Sequence, residues 1–116
     1  MRTEVSALST GTDLGNYLGR STELPGAPDY PRTVGYSNVG VVLRVGSVVE
    51  RLHVGDRVFS TRPHQSAYIA RQDDLLVRIP DGVSSEHASL AYLTQVGMAY
   101  LRAAGYQSGE SVAVLE

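Results

Sequence analysis

The sequence predicts a mainly β fold: a partly open β-barrel over residues 1–83, then one or two α-helices and a terminal strand over residues 84–116. Three observations predict it. In residues 35–58, Gly35, Gly40, Gly46 and Gly55 stand where backbone must turn or pass close to another segment, and Val39, Val41, Val42, Val45, Val48 and Val49 supply β-branched bulk between them. After Pro80-Asp81-Gly82 the apolar period changes from two to about 3.6. Residues 111–115, Ser-Val-Ala-Val-Leu, then form an apolar run of the kind that lies buried on both faces of a parallel sheet.

The elements follow in order. Val5 to Leu8 reads as a short strand, and Ser9-Thr10-Gly11-Thr12-Asp13 as a turn whose Thr12 or Asp13 caps a brief helical turn over Leu14 to Leu18. Gly19, Pro25, Gly26, Pro28 and Pro31 bar regular structure from Gly19 to Arg32, so this is a long surface loop, a place where function concentrates. A twisted hairpin spans Gly35 to Ser60, with a turn at His53-Val54-Gly55-Asp56 leading into Arg57-Val58-Phe59. Residues 66–70 and 75–79 read as strands around a solvated Asp73-Asp74 turn. Ser84 or Ser85 is the helix N-cap, Glu86 suits the positive end of the dipole, and Gly105 is the stop. Gln95-Val96-Gly97 is the place where that helix divides, if it divides.

Composition narrows the function classes. At 116 residues the chain makes one domain, burying roughly 65% of the surface of its unfolded form. Charged residues are 19% and hydrophobic residues 42%, which is globular composition and argues against disorder. The net charge of -2, carried with ten Arg and no Lys, offers no cationic field for nucleic acid or an acidic membrane. No apolar run approaches the ~20 residues of a membrane span, and Met1-Arg2-Thr3-Glu4 lacks a signal-peptide core, so the expected compartment is the cytoplasm. Cysteine is absent, which excludes disulfides and thiolate metal sites and leaves His53, His64 and His87 as the only nitrogen ligands. Each of the three histidines reads as solvent-facing, beside a turn, after Pro63, or in a first helical turn.

The glycine and valine pattern of residues 35–58, with Val54-Gly55-Asp56-Arg57-Val58, resembles the G-H-E-x-x-G-x-V-x-x-V-G-x-x-V and V-G-D-R-V signatures of the GroES-like catalytic domain in the medium-chain dehydrogenase/reductase family. Gly11-Thr12-Asp13 and Thr94-Gln95-Val96-Gly97-Met98-Ala99 are similar to two further family signatures in the same order. The resemblance implies a parent enzyme that moves hydride between NAD(P)H and a small-molecule carbonyl, quinone or enone. It also implies that the terminal strand would open a Rossmann sheet. Zinc-dependent members place metal ligands at the positions of Thr10, Tyr36 and Leu90; none of these is a ligand, and the four-cysteine structural lobe is missing, so the implied branch is zinc-free.

In that branch two residues carry candidate catalytic roles and one a cofactor role. Tyr36 reads either as a packed aromatic with its hydroxyl at the surface or as a hydrogen-bond donor to a substrate oxygen. Thr12 either caps a helix or stands where relatives place a proton-relay hydroxyl, and Thr94 either breaks or caps a helix or contacts the nicotinamide cofactor. No Gly-x-Gly-x-x-Gly is present, and of the two strands that the resemblance implies before Val5, Met1-Arg2-Thr3-Glu4 falls inside the second, so the expectation is a catalytic domain cut at both ends, holding no NAD(P) and inactive alone. Exposed strand edges then favour a homo-oligomer, with residues 112–115 pairing across a two-fold axis. The rival reading is a free-standing GroES-like binding or assembly module that uses the Gly19 to Arg32 loop as its contact surface. The Thr94 helix and terminal strand favour the enzyme, because such a module uses neither.

Overall fold

A computed structural model describes residues 1–20, 30–71 and 73–114. Its four strands, β1 (Arg2–Ser6), β2 (Asn38–Val41), β3 (Arg57–Ser60) and β4 (Leu76–Arg78), form one antiparallel sheet in sequence order. Three helices accompany it: α1 (Thr12–Tyr17), α2 (Ser85–Ser89) and α3 (Ala91–Ala103). The hairpin expected over residues 35–60 is the β2–β3 pair, with Val39 opposite Phe59 and Val41 opposite Arg57. Gly40 is required by close approach rather than by a turn, since a Cβ there would stand 2.7 Å from the Arg2 carbonyl oxygen, next to the bulge between Thr3 and Val5.

On the outer edge of β1, Thr3 N–H donates to Ser66 O (2.8 Å) and Tyr68 N–H to Met1 O (3.0 Å), so residues 66–68 begin to close the sheet into a barrel. The strand expected over 66–70 shrinks to a single bridge, Arg2 with Ala67. Asn38 fastens this closure from inside, fully buried, with its amide donating to Thr3 Oγ1 (3.1 Å) and Pro63 O (3.3 Å). The first strand begins earlier than its sequence suggests, because Arg2 finds a partner in Val41 while Leu8 is left exposed.

Val39, Phe59, Ile79 and Ala88 make the core cluster, with Tyr92 packed on it, so sheet and helices share apolar contact. Ser84 caps α2 by accepting from His87 N–H at 3.2 Å, as the sequence indicates. The helical segment does divide, but at Leu90 instead of at residues 95–97. Ser37 Oγ occupies the Ser89 carbonyl, and Leu90 adopts ψ near zero, which ends α2; Gly97 simply continues α3. Gly105, at φ +74°, stops α3 as expected. The terminal strand does not form over residues 111–114, which have no strand partner among the described residues and lie exposed, and Leu115 falls outside the described residues. So does most of the Gly19 to Arg32 loop, at residues 21–29.

Candidate functional site

Three sequence-distant segments converge at one end of the sheet: residues 9–13, residues 34–37 and the α2–α3 junction. Ser37, buried as it enters β2, donates its hydroxyl to Ser89 O. Beside it the Tyr36 ring lies tilted on Tyr92, with centroids 4.9 Å apart. Ala7 N–H donates to Ser37 O at 3.0 Å, which ties the end of the first strand to the same segment. Glu86, exposed in the first turn of α2, is held below the usual carboxylate range by its own backbone N–H and by the Ser84 hydroxyl.

Segment 9–13 joins through a histidine. His64 Nδ1 lies 2.5 Å from Ser6 Oγ, and His64 Nε2 lies 3.3 Å from Asp13 Oδ2. The Asp13 side chain is only 8% exposed, and its Oδ2 also accepts from Ser9 N–H at 2.7 Å. Gly35 makes room for the ring: at φ +98°, its missing Cβ would fall 2.5 Å from the imidazole. His64 N–H donates to Val34 O at 2.9 Å, which fixes the ring's own backbone against the same segment. The solvent-facing reading of His64 is therefore corrected, whereas the exposed positions of His53 and His87 agree with theirs.

The three candidates read from sequence sit around this junction without touching one another in any hydrogen bond or ring contact described. Thr12 is the first residue of α1, half-buried; Gly11 is the N-cap and makes no side-chain cap bond, so the capping reading of Thr12 is corrected. Thr12 N–H is instead satisfied by Ser9 Oγ at 3.2 Å. Tyr36 is half-buried against Tyr92. Thr94 is exposed on α3, its hydroxyl donating to Leu90 O at 3.1 Å, the ordinary back-bond of a helical Thr, so it neither breaks nor caps the helix. It keeps a lone pair and a methyl for a neighbour. Two cavities of about 1010 and 630 Å³ lie elsewhere, one between the β2–β3 connection and residues 67–71, the other between β4 and the start of α3, and none of the three candidates lines either.

A metal does not fit these residues. Thr10, Tyr36 and Leu90 offer no thiolate, imidazole or carboxylate, and among the described residues no group of three His, Cys, Asp or Glu could hold an ion. The remaining ion pairs belong to surface turns. Asp74 is held below the usual range, first by Arg71 N–H and then by the Arg62 guanidinium, and Asp56 likewise by His53 N–H, with Arg78 adding to it. Burial pushes the Tyr68 hydroxyl up, against its bond to Ser60. Among the described residues, no helix is long and apolar enough to cross a membrane.

The alcohol dehydrogenase GroES-like domain model matches residues 3–99. The chain is similar to the (R,R)-butanediol dehydrogenase of Bacillus subtilis, 28% identical over 90% of this chain and 40% of the relative. It is also similar to the quinone oxidoreductase of Pseudomonas aeruginosa, 35% identical over 74% of this chain and 28% of that enzyme, and to the 2-methylene-furan-3-one reductase of Solanum lycopersicum, 31% identical over 88% and 28%. The chain thus spans well under half the length of the relatives it matches. No solved structure matches it. The antiparallel sheet closing on itself, the three signature segments meeting at one end of it, and these matches together mean that the chain belongs to the medium-chain dehydrogenase/reductase superfamily, of which it carries the alcohol dehydrogenase GroES-like domain.

Proposed function

We propose that these residues form the catalytic domain of a zinc-independent oxidoreductase that moves hydride between NAD(P)H and a small carbonyl, quinone or enone in the cytoplasm. One observation carries the reading: Gly11-Thr12-Asp13, Gly35-Tyr36-Ser37 and the start of α3, far apart in sequence, meet at one end of the sheet with Thr, Tyr and Leu at positions 10, 36 and 90. The names of the quinone oxidoreductase and the 2-methylene-furan-3-one reductase relatives support a quinone or enone, and that of the butanediol dehydrogenase supports an alcohol and its carbonyl, as substrate.

When bound, NAD(P)H supplies the hydride. The chain's own residues act on the substrate side. Tyr36, leaning on Tyr92, donates its hydroxyl to the substrate oxygen, and Thr12, at the first turn of α1, supplies a hydroxyl for the proton that follows. Thr94, exposed and with its proton committed to Leu90 O, accepts from or packs against the cofactor's edge. None of these residues cradles a pyrophosphate, so on this reading the 116 residues alone turn over no NADPH, and the dinucleotide is held by a further domain. Pairing of exposed strand edges between two copies is the corresponding expectation for assembly.

The test is NADPH consumption by the full-length protein with a quinone, an enone and a ketone, before and after a chelator. Chelator-resistant reduction, weakened roughly tenfold or more by Tyr36→Phe, is expected for a lost proton or hydrogen-bond donor. Activity abolished by the chelator and restored by zinc, or turnover by residues 1–116 alone, would overturn the reading.

A further inference from the structure

We propose that Asp13, His64 and Ser6 form a metal-free clamp that holds the Thr12 and Tyr36 segments in register, so that His64 is a positioning residue for the reduction; this rests on the function proposed above. The clamp begins with geometry. The Asp13 side chain is nearly buried, among the described residues its Oδ1 has no hydrogen-bond partner, and the His64 imidazole stands 3.3 Å from its Oδ2. His64 Nε2 likewise makes no aligned hydrogen bond among the described residues, so the two groups face each other as close neighbours without a directed bond.

The ring reaches both of its side-chain neighbours at once: Nε2 faces Asp13 Oδ2 at 3.3 Å, Nδ1 lies 2.5 Å from Ser6 Oγ, and the Ser6 hydroxyl donates to Ser37 O at 3.2 Å. One side chain thereby joins the end of β1, the first turn of α1 and the entry to β2. Gly35 completes the fit, because its missing Cβ lets the ring lie directly on the backbone beside Tyr36. Thr12 is the neighbour of Asp13 and Tyr36 the neighbour of Gly35, so the distance between the two candidate hydroxyls is set by what the ring holds. Catalytic groups misplaced by small distances lose much of their rate even when binding survives.

The experiment uses the full-length protein carrying His64→Ala, His64→Gln and Tyr36→Phe, alone and combined. His64→Ala is expected to lower kcat roughly tenfold to a hundredfold with KM changed by less than about twofold, because positioning acts on the reacting geometry. Glutamine, which keeps a donor and an acceptor, restores part of the loss. The Tyr36→Phe penalty shrinks in the His64→Ala background, because a misplaced hydroxyl has less left to lose. An unchanged kcat in His64→Ala, or a Tyr36→Phe penalty fully additive with it, overturns the clamp. If the wild-type protein reduces none of the substrates, the function proposal fails by itself and the clamp is read by nuclear magnetic resonance. Ser6→Ala must then shift the imidazole Nδ1 signal and Asp13→Asn the Nε2 signal, with both moving the amide signals of Thr12 and Tyr36 more than that of Val77. Amide signals of Thr12 and Tyr36 that stay still sink the proposal, and this arm also decides the case if His64→Ala does not fold.

Discussion

The sheet and the long helix of this domain are held by different means. In the sheet, Val39 and Val58 are completely buried, Phe59 nearly so, and Asn38 adds a fully satisfied polar lock beneath them. In α3 no residue is buried, and Leu93 and Met98 are nearly half exposed and Tyr100 largely so, although the helix is apolar along much of its length. Only its first turn is anchored, through Tyr92 on the core cluster. The lesson is that the centre of the sheet, β2 and β3, is covered on the core side by its neighbours and by α2, while α3 runs along the outside with no buried residue. The three relatives named above are about two and a half to three and a half times as long as the segment each matches.

Substitutions that probe this contrast run from large effects to small. Phe59→Ala should cost ~3–5 kcal/mol of unfolding free energy in urea titration, since it empties the centre of the cluster. Gly40→Ala drives a methyl against the Arg2 carbonyl and should cost ~1–3 kcal/mol by the same measurement. Ser84→Ala removes the α2 cap and should cost ~1 kcal/mol, read with loss of helical circular dichroism. Met98→Ser, on the exposed helix, should stay within about 0.5 kcal/mol. A Met98→Ser effect as large as that of Gly40→Ala would break the contrast.

The weakest effect is electrostatic. The folded-state pKa of Asp74 is lowered from its ordinary 3.8, so its stabilising contribution is complete above that value and disappears as pH falls through the lower folded one. Asp74→Asn should therefore lower the urea midpoint slightly at neutral pH and converge with the wild type at the acid end, which flattens the acid limb. A steeper acid limb in the variant would contradict the sign.

Much of the fold was legible because the glycines and valines of residues 35–58 state their backbone demands locally. Gly105 and Ser84 were legible for the same reason: a stop and a cap are one-turn events. What escaped depends on partners. Residues 66–70 have strand chemistry yet pair at one bridge, because β1 offers them only its first residues. The break at Leu90 follows from Ser37, more than fifty positions away, taking a carbonyl the helix would have used. Of the site, Tyr36 was visible as an aromatic beside a family signature, but its Tyr92 partner was not. His64 escaped altogether; its local sequence, after Pro63, looks like a surface turn, and its partners Ser6 and Asp13 lie 58 and 51 positions away, through Gly35 whose special φ alone hinted at a crowded neighbour. That glycine was the available signal.

The bond from Ser37 to Ser89 and the Tyr36–Tyr92 stack have a mechanical consequence. Helix α3, thirteen residues long, reaches about 20 Å from this joint, so whatever leans on its far end gains leverage over the tyrosine at its root. A neighbour settling against the helix would tune the aim of the Tyr36 hydroxyl from a distance, without ever touching it.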